Sequence, residues 1–490
     1  MARHRAIIRT SWLSALLFSL TALPALGQIP AAEFAARRDS LAALIGTGVV
    51  VAFGARTPVS DFGPPTQLPA FHYLTNYDEP DAAFVLVARK GAGAAMLFTT
   101  PVEPRRSLYY GQHPDSAHLE AATGMRARSL AALGTVLDSL AGTGLPFYSL
   151  ADFEDADFAR QDSLTRGVLF MRAFAERHPG LSLSDAHPLV NRLRARKSPA
   201  EQGLLRRAAE ISVEGHLAAM RLAAPGLHEY DLQAALEYAF RRGGAARPAY
   251  GSIVGSGARG TQLHYMMDRG PLQADDLVVM DAGAEFEGYA ADVTRTIPVS
   301  GTFTAEQRAL YQLVRDAQAA AERASGPGLS ARAAEDSSFE VRARGLAALG
   351  YIESADALMD PPWTADCKAQ PRACRQATLF TIHGISHGLG LAVHDPAQFY
   401  SEDHTFRPGD AFTIEPGIYI NAAALDLLPD TRRNRAFRAR AEPLVRRTNN
   451  TGIRIEDDYI VTEHGLEWIS PAPREIAEIE AAMRQRPFQP

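Results

Sequence analysis

The chain has 490 residues, too many for one ordinary hydrophobic core, so two domains are the starting expectation. A hydrophobic fraction of 46% and a charged fraction of 22% are globular values, and a net charge of -6 gives no reason to expect a nucleic-acid partner. No window is long and apolar enough for a convincing membrane span.

The first element reads as a targeting segment. Arg3, Arg5 and Arg9 form a positive region, Trp12 to Leu23 an apolar one, and Ala25-Leu26-Gly27 a small-residue cleavage site before Gln28. Residues 1–27 are therefore expected to be a signal peptide on an exported protein, periplasmic or secreted. An uncleaved N-terminal anchor is the alternative. A lipid anchor lacks its cysteine. Residues 28–193 are expected to form a first domain, mixing strand-like runs (Val49 to Phe53, Ala83 to Ala88, Ala94 to Thr99) with helical ones (Ala32 to Leu44, Met125 to Leu140).

A second domain is expected over 194–480. Ser198-Pro199-Ala200-Glu201 is a capping box with proline at the first helical position, predicting a helix to about Leu222. A second helix, about His228 to Arg242, stops at Gly243-Gly244. Leu277 to Ala284 then reads as a buried strand, Glu285 to Gly288 as a turn, and Tyr289 to Ile297 as the return strand. A turn centred between Phe286 and Glu287 sets Asp281 directly opposite Asp292. Like charges placed so are destabilising unless a cation lies between them.

Cys367 and Cys374 are the only cysteines, and in an oxidising compartment they predict a loop-stapling disulfide. A zinc pair is the weaker alternative, because no histidine accompanies them. Thr381 to Gly390 carries His383 and His387; their spacing suits one helix face, but the glycines favour a loop. Phe412 to Ile420 is a strand broken by Pro416-Gly417 just after Glu415. Gly452 to Val461 is another strand, with Arg454 and Glu456 on one face. Taken singly, Glu415 or Glu456 reads as a salt-bridged strand residue. Asp281, Asp292, His387, Glu415 and Glu456 all sit in apolar or glycine-rich stretches, however, where an unpaired buried charge is expensive. Four such carboxylates and one histidine point to a metal.

Gly255-Ser256-Gly257 with Leu263-His264-Tyr265, Met280-Asp281-Ala282-Gly283, Asp292-Val293-Thr294-Arg295-Thr296, His383 with Ser386-His387-Gly388, Val393-His394-Asp395, Ile414-Glu415-Pro416-Gly417 and Ile453-Arg454-Ile455-Glu456-Asp457-Asp458 together resemble the pita-bread metallopeptidases. More narrowly they resemble aminopeptidase P, the Xaa-Pro aminopeptidase. The motifs run in family order over about Arg194 to Glu463. Phe71 to Pro80 resembles the family's N-terminal domain, which methionine aminopeptidases generally lack.

The resemblance implies an α+β fold: a mixed-sheet N-terminal domain and a catalytic domain of curved antiparallel sheet covered by helices. It implies two divalent ions, with Asp281 on one, Asp292 and Glu456 bridging, and His387 and Glu415 on the other. The donor set suits manganese, with zinc, cobalt or iron as alternatives. The implied reaction is attack by a metal-activated hydroxide on the bond before a second-position proline, Glu415 moving the proton to the leaving nitrogen. His394 would donate to the carbonyl oxygen, His383 and His264 would line the proline pocket, and Arg454 would orient the ligands or contact substrate. Peptides are the implied partners, and a dimer or tetramer the implied assembly. Prolidase, which cuts only Xaa-Pro dipeptides, is the alternative within the fold; creatinase-like chemistry and an idle peptide-binding relative fit less well. Asp430 to Asn450 departs from the family pattern with Arg432, Arg433, Arg435, Arg438, Arg440, Arg446 and Arg447, read as a solvated insertion or as a lid or subunit contact.

Overall fold

A computed structural model describes residues 29–57, 66–101, 104–111, 114–150, 166–397, 399 and 403–485; the expected signal peptide lies outside them. The apolar runs of the first half build one mixed sheet of six strands, in the order β4-β3-β2-β1-β5-β6. They are β1 (Gly48–Phe53), β2 (Ala83–Arg89), β3 (Ala92–Thr99), β4 (Arg126–Ser129), β5 (Phe147–Leu150) and β6 (Leu183–Asp185). β1 is buried along its whole length, so both faces must be covered. Leu41 and Ala42 of the Ala31–Ile45 helix pack on one face with Phe71 and Leu74. Leu133, Leu137 and Phe174 pack on the other.

The expected helix from Met125 to Leu140 is corrected. Arg126–Ser129 pairs in parallel with Met96 to Thr99, and the α-helix begins only at Leu133. Edge pairing against a formed sheet outweighs the local helical pattern there.

The second half opens as its caps dictate. Ser198 Oγ accepts from Glu201 N–H at 3.2 Å, and Glu201 Oε2 accepts from Ser198 N–H at 2.8 Å, starting the Pro199–Leu222 helix. The same cap joins the halves: Ser198 Oγ donates to Glu33 at 2.7 Å, and Arg37 pairs with Glu201 at 3.3 Å. Four small sheets follow, every pairing antiparallel, from β7 (Arg247–Pro248), β8 (Ile253–Ser256), β9 (Leu277–Asp281), β10 (Ala284–Phe286), β11 (Tyr289–Ala290), β12 (Thr294–Pro298), β13 (Ala411–Ile414), β14 (Gly417–Ile420), β15 (Thr451–Arg454), β16 (Asp457–Thr462) and β17 (Gly465–Trp468). The Pro199–Leu222, Glu229–Arg242, Ala305–Ala324 and Ala331–Leu349 helices cover them through a core that includes Leu236, Phe240, Val278, Met280, Tyr311, Phe380 and Ile418.

The hairpin register differs from expectation by two residues. Phe286 pairs with Tyr289 across a tight turn of Glu287 and Gly288, whose φ angles are 49° and 82°. Asp281 therefore faces Thr294, and Asp292 lies two residues before that partner. A shift of two preserves the face, so both carboxylates still point the same way. The expected strand over 452–461 is also interrupted: β15 pairs with β14, β16 with β13, and Ile455 and Glu456 lie between.

Cys367 and Cys374 form a disulfide, with Cα atoms 5.7 Å apart. The arginine-rich segment is the Arg432–Arg447 helix, which buries Asn434, Phe437, Ala441 and Val445. Its ion pairs run to Asp360, Asp426, Asp430, Glu442 and Glu306. Among the described residues, no helix is long and apolar enough to cross a membrane.

Candidate metal centre

Five strand ends and loops converge on one buried spot. Asp281 ends β9, Asp292 precedes β12, Glu415 follows β13, Glu456 occupies the break between β15 and β16, and His387 comes from the loop before β13. The loop is pinned to the sheet: Thr413 N–H donates to His387 C=O at 3.0 Å, and Glu415 N–H to Ile385 C=O at 2.7 Å. Glu456 forms an isolated bridge with Thr294, whose hydroxyl donates to Glu456 Oε2 at 2.6 Å.

Donor atoms of Asp292, His387 and Glu456 all lie within 4.8 Å of one another. His387 Nδ1 contacts the Gly388 carbonyl at 3.0 Å, which assigns the ring proton to that nitrogen. The Nε2 lone pair is then left 3.4 Å from Asp292, 3.8 Å from Glu415 and 3.8 Å from Glu456. Glu456 Oε1 is buried with no hydrogen-bond partner. Tyr250 has one hydroxyl proton, yet its oxygen lies 2.6 Å from Asp281 and 2.5 Å from Asp292. A lone pair and several acceptors facing one another lack a positive centre, and a divalent cation fits that deficit.

Electrostatics give the same account. Burial, and then Asp281, push the Asp292 carboxyl well above the usual carboxylate range. Burial and Glu456 do so for Glu415, and burial and Asp292 for Glu456. Arg454 is a buried cation that reaches a side chain of the set: it ion-pairs with Asp281 and donates to Thr294 Oγ1 at 3.2 Å and to Tyr419 Oη at 2.8 Å.

The remaining expected residues flank this spot. The His383 ring stands with Nδ1 2.6 Å from Gly384 C=O and Nε2 2.9 Å from Tyr419 Oη. Burial, with Arg454 and Arg342 nearby, lowers its pKa to about 3, so it is neutral and its Nε2 accepts from the tyrosine. His264 is exposed and is an electrostatic neighbour of His383. His394 is exposed and its ring centroid lies 4.3 Å from that of His387. The adjacent Asp395 is buried between Arg194 at 2.7 Å and Lys197 at 2.9 Å, which fixes the backbone that carries His394.

Three residues at the centre went unread in the sequence. Tyr250 sits in a short irregular stretch with no pattern to mark it. Tyr419 alternates with buried neighbours like any strand residue. Asp458 accepts from Asp292 N–H at 3.1 Å, and its place in the acidic Glu456-Asp457-Asp458 run was the available signal.

The fold and the acidic centre define a metallopeptidase. Residues 203–463 match Metallopeptidase family M24, and residues 34–145 match the aminopeptidase P N-terminal domain. The chain is 30% identical to the Xaa-Pro aminopeptidase of Escherichia coli K12, over 94% of this chain and 100% of that one. It superposes on proline aminopeptidase P II from Yersinia pestis with a TM-score of 0.76 and 30% identity, covering 93% and 99% of the two chains. A human Xaa-Pro dipeptidase is 31% identical over 61% of this chain and 62% of its own. The chain belongs to the M24 metallopeptidases, in their Xaa-Pro aminopeptidase branch. It is a metallo-aminopeptidase, and its family implies divalent metal ions.

Proposed function

We propose that the chain removes the N-terminal residue from peptides with proline second, at a centre where Asp281, Asp292, His387, Glu415 and Glu456 hold two divalent ions. The observation that carries this reading is the convergence of the His387 Nε2 lone pair on three carboxylates beside a partnerless Glu456 oxygen. Four carboxylates and one imidazole favour manganese over softer ions. Bound ions supply Lewis acidity and a more acidic water.

The chain's own residues do the rest. Arg454 holds Asp281 in place and balances charge, and Tyr419 relays that hold to His383. His394, exposed beside His387, donates to the scissile carbonyl oxygen as negative charge develops. Glu415, its carboxyl made more basic by burial, takes the proton from the attacking water and delivers it to the leaving proline nitrogen. His264 and His383 flank the proline ring. The reading includes export of the chain by residues 1–27, resting on their charge and hydropathy pattern, and assembly as a dimer or tetramer, resting on the family resemblance.

The test is substrate length. Xaa-Pro-Yaa tripeptides and longer peptides should be cleaved with higher kcat/KM than Xaa-Pro dipeptides, and replacing the proline by alanine should reduce the rate. A prolidase reading, favoured by the likeness to the human dipeptidase, needs a cation to cap the free proline carboxylate. Cleavage confined to dipeptides would transfer the assignment to it.

A further inference from the structure

The histidine loop is held from outside the centre by a side chain that the reaction does not use. Ile385 lies midway between His383 and His387 and is buried, so its N–H needs an acceptor. Glu335, on the Ala331–Leu349 helix, supplies it: Oε2 accepts from Ile385 N–H at 3.2 Å. The Ile385 carbonyl accepts from Glu415 N–H at 2.7 Å, so one residue, through its N–H and its C=O, links Glu335 to the backbone of a carboxylate in the centre. The other Glu335 oxygen accepts from Arg372 at 2.9 Å, and Arg372 also reaches Asp336 at 3.0 Å while lying over the Phe339 ring. Arg372 belongs to the loop closed by Cys367 and Cys374. Cys374 is buried, and its carbonyl accepts from Met359 N–H at 2.8 Å. A short closed loop thus presents Arg372 to Glu335, and Glu335 fixes the peptide between the two histidines.

We propose that Glu335 and Arg372 are positioning residues for the His383–His387 segment, with the Cys367–Cys374 loop presenting Arg372. The consequence for turnover rests on the two-ion reading above; the mechanical link does not. Both Glu335 oxygens accept, so Glu335→Gln keeps the acceptor for Ile385 but turns an amide NH2 toward Arg372, whereas Glu335→Leu removes both contacts.

Hydrogen exchange by mass spectrometry on the full chain, in the presence of chelator, reads the link directly. In Glu335→Leu the peptide spanning residues 381–389 should exchange at least about tenfold faster than in the wild type, with the Glu335→Gln protein, which loses only the Arg372 contact, about threefold faster. With manganese present, Glu335→Leu should lose about 10–100-fold in kcat, with KM for an Xaa-Pro-Yaa peptide within about threefold, and Glu335→Gln should recover most of that loss. If Glu335→Leu does not fold, Arg372→Ala decides, with an expected exchange increase of about threefold in the same peptide and a matching fall in kcat. Unchanged exchange in the leucine variant, or equal impairment of the glutamine and leucine variants, overturns the proposal. Altered exchange with unchanged kcat overturns the positioning role while leaving the link; loss of manganese-dependent turnover in the wild type counts against the two-ion reading instead.

Discussion

Two buried interiors in this chain are made of opposite materials. Val50, Ala52, Phe84, Leu86 and Leu97 fill one face of the N-terminal sheet, each at most 1% exposed. In the catalytic half, Asp281, Asp292, Arg295, Arg454, Glu456, Asp457 and Asp458 are buried within one region. Apolar burial stabilises in proportion to area, while buried charge is tolerated only when partnered. The contrast sharpens between neighbours. Asp457 is fully accounted for by Arg295 at 2.5 Å, Arg474 at 2.9 Å, Gln318 at 2.9 Å and Ser470 at 3.1 Å. Glu456, one residue earlier, keeps an oxygen with no partner. One carboxylate is balanced by the protein, and the other is arranged for something the protein binds.

The largest expected effect comes from breaking the second kind of core. Asp292→Ala should abolish activity and reduce bound metal, because its carboxylate faces both His387 and the Asp281 side of the centre. Metal analysis alongside a turnover assay checks it; near wild-type turnover with full metal content would remove the dinuclear assignment. Phe84→Ala breaks the first kind of core and should behave oppositely. It should cost about 3–5 kcal/mol of stability, read by denaturant titration, with kcat and metal content kept in the folded fraction. His394→Ala should retain metal yet lose roughly 10²–10³ in kcat, whereas His387→Ala should lose metal. Equal metal content in these two variants would contradict the division of roles.

The smallest effect is on pH dependence. Asp292, Glu415 and Glu456 have folded pKa values raised above their unfolded ones. Between those two values the folded, metal-free chain binds more protons than the unfolded chain. The contribution of these three groups to stability should therefore be fully present below about 4, the unfolded carboxylate value, and be lost as pH rises through their folded values. Thermal melts of chelated protein across pH should show that slope as the difference between the wild type and a Glu456→Gln variant, and manganese should flatten it in the wild type.

Much of the centre was legible because chemistry and local pattern agree there. The Ser198 cap, the Gly243-Gly244 stop and the apolar strand leading to Asp281 formed where their residues dictate. Period-two alternation placed Asp281 and Asp292 on one face even though the turn was set one residue early, which moves each cross-strand partner by two. What could not be read is tertiary. Arg126–Ser129 became a strand only because β3 offered an edge. Tyr250 reached two carboxylates across 31 and 42 residues. The arginine-rich insertion was legible as charge, but its docking through Phe437 against Phe380 depends on a partner elsewhere in the chain.

The most direct test of the central claim is metal stoichiometry coupled to cleavage. Purified protein, stripped with chelator and reloaded with manganese, should bind about two ions per chain and regain hydrolysis of an Xaa-Pro-Yaa peptide in step with the ions bound. Full cleavage by the stripped protein, or activity that saturates with no ion bound, would contradict the account.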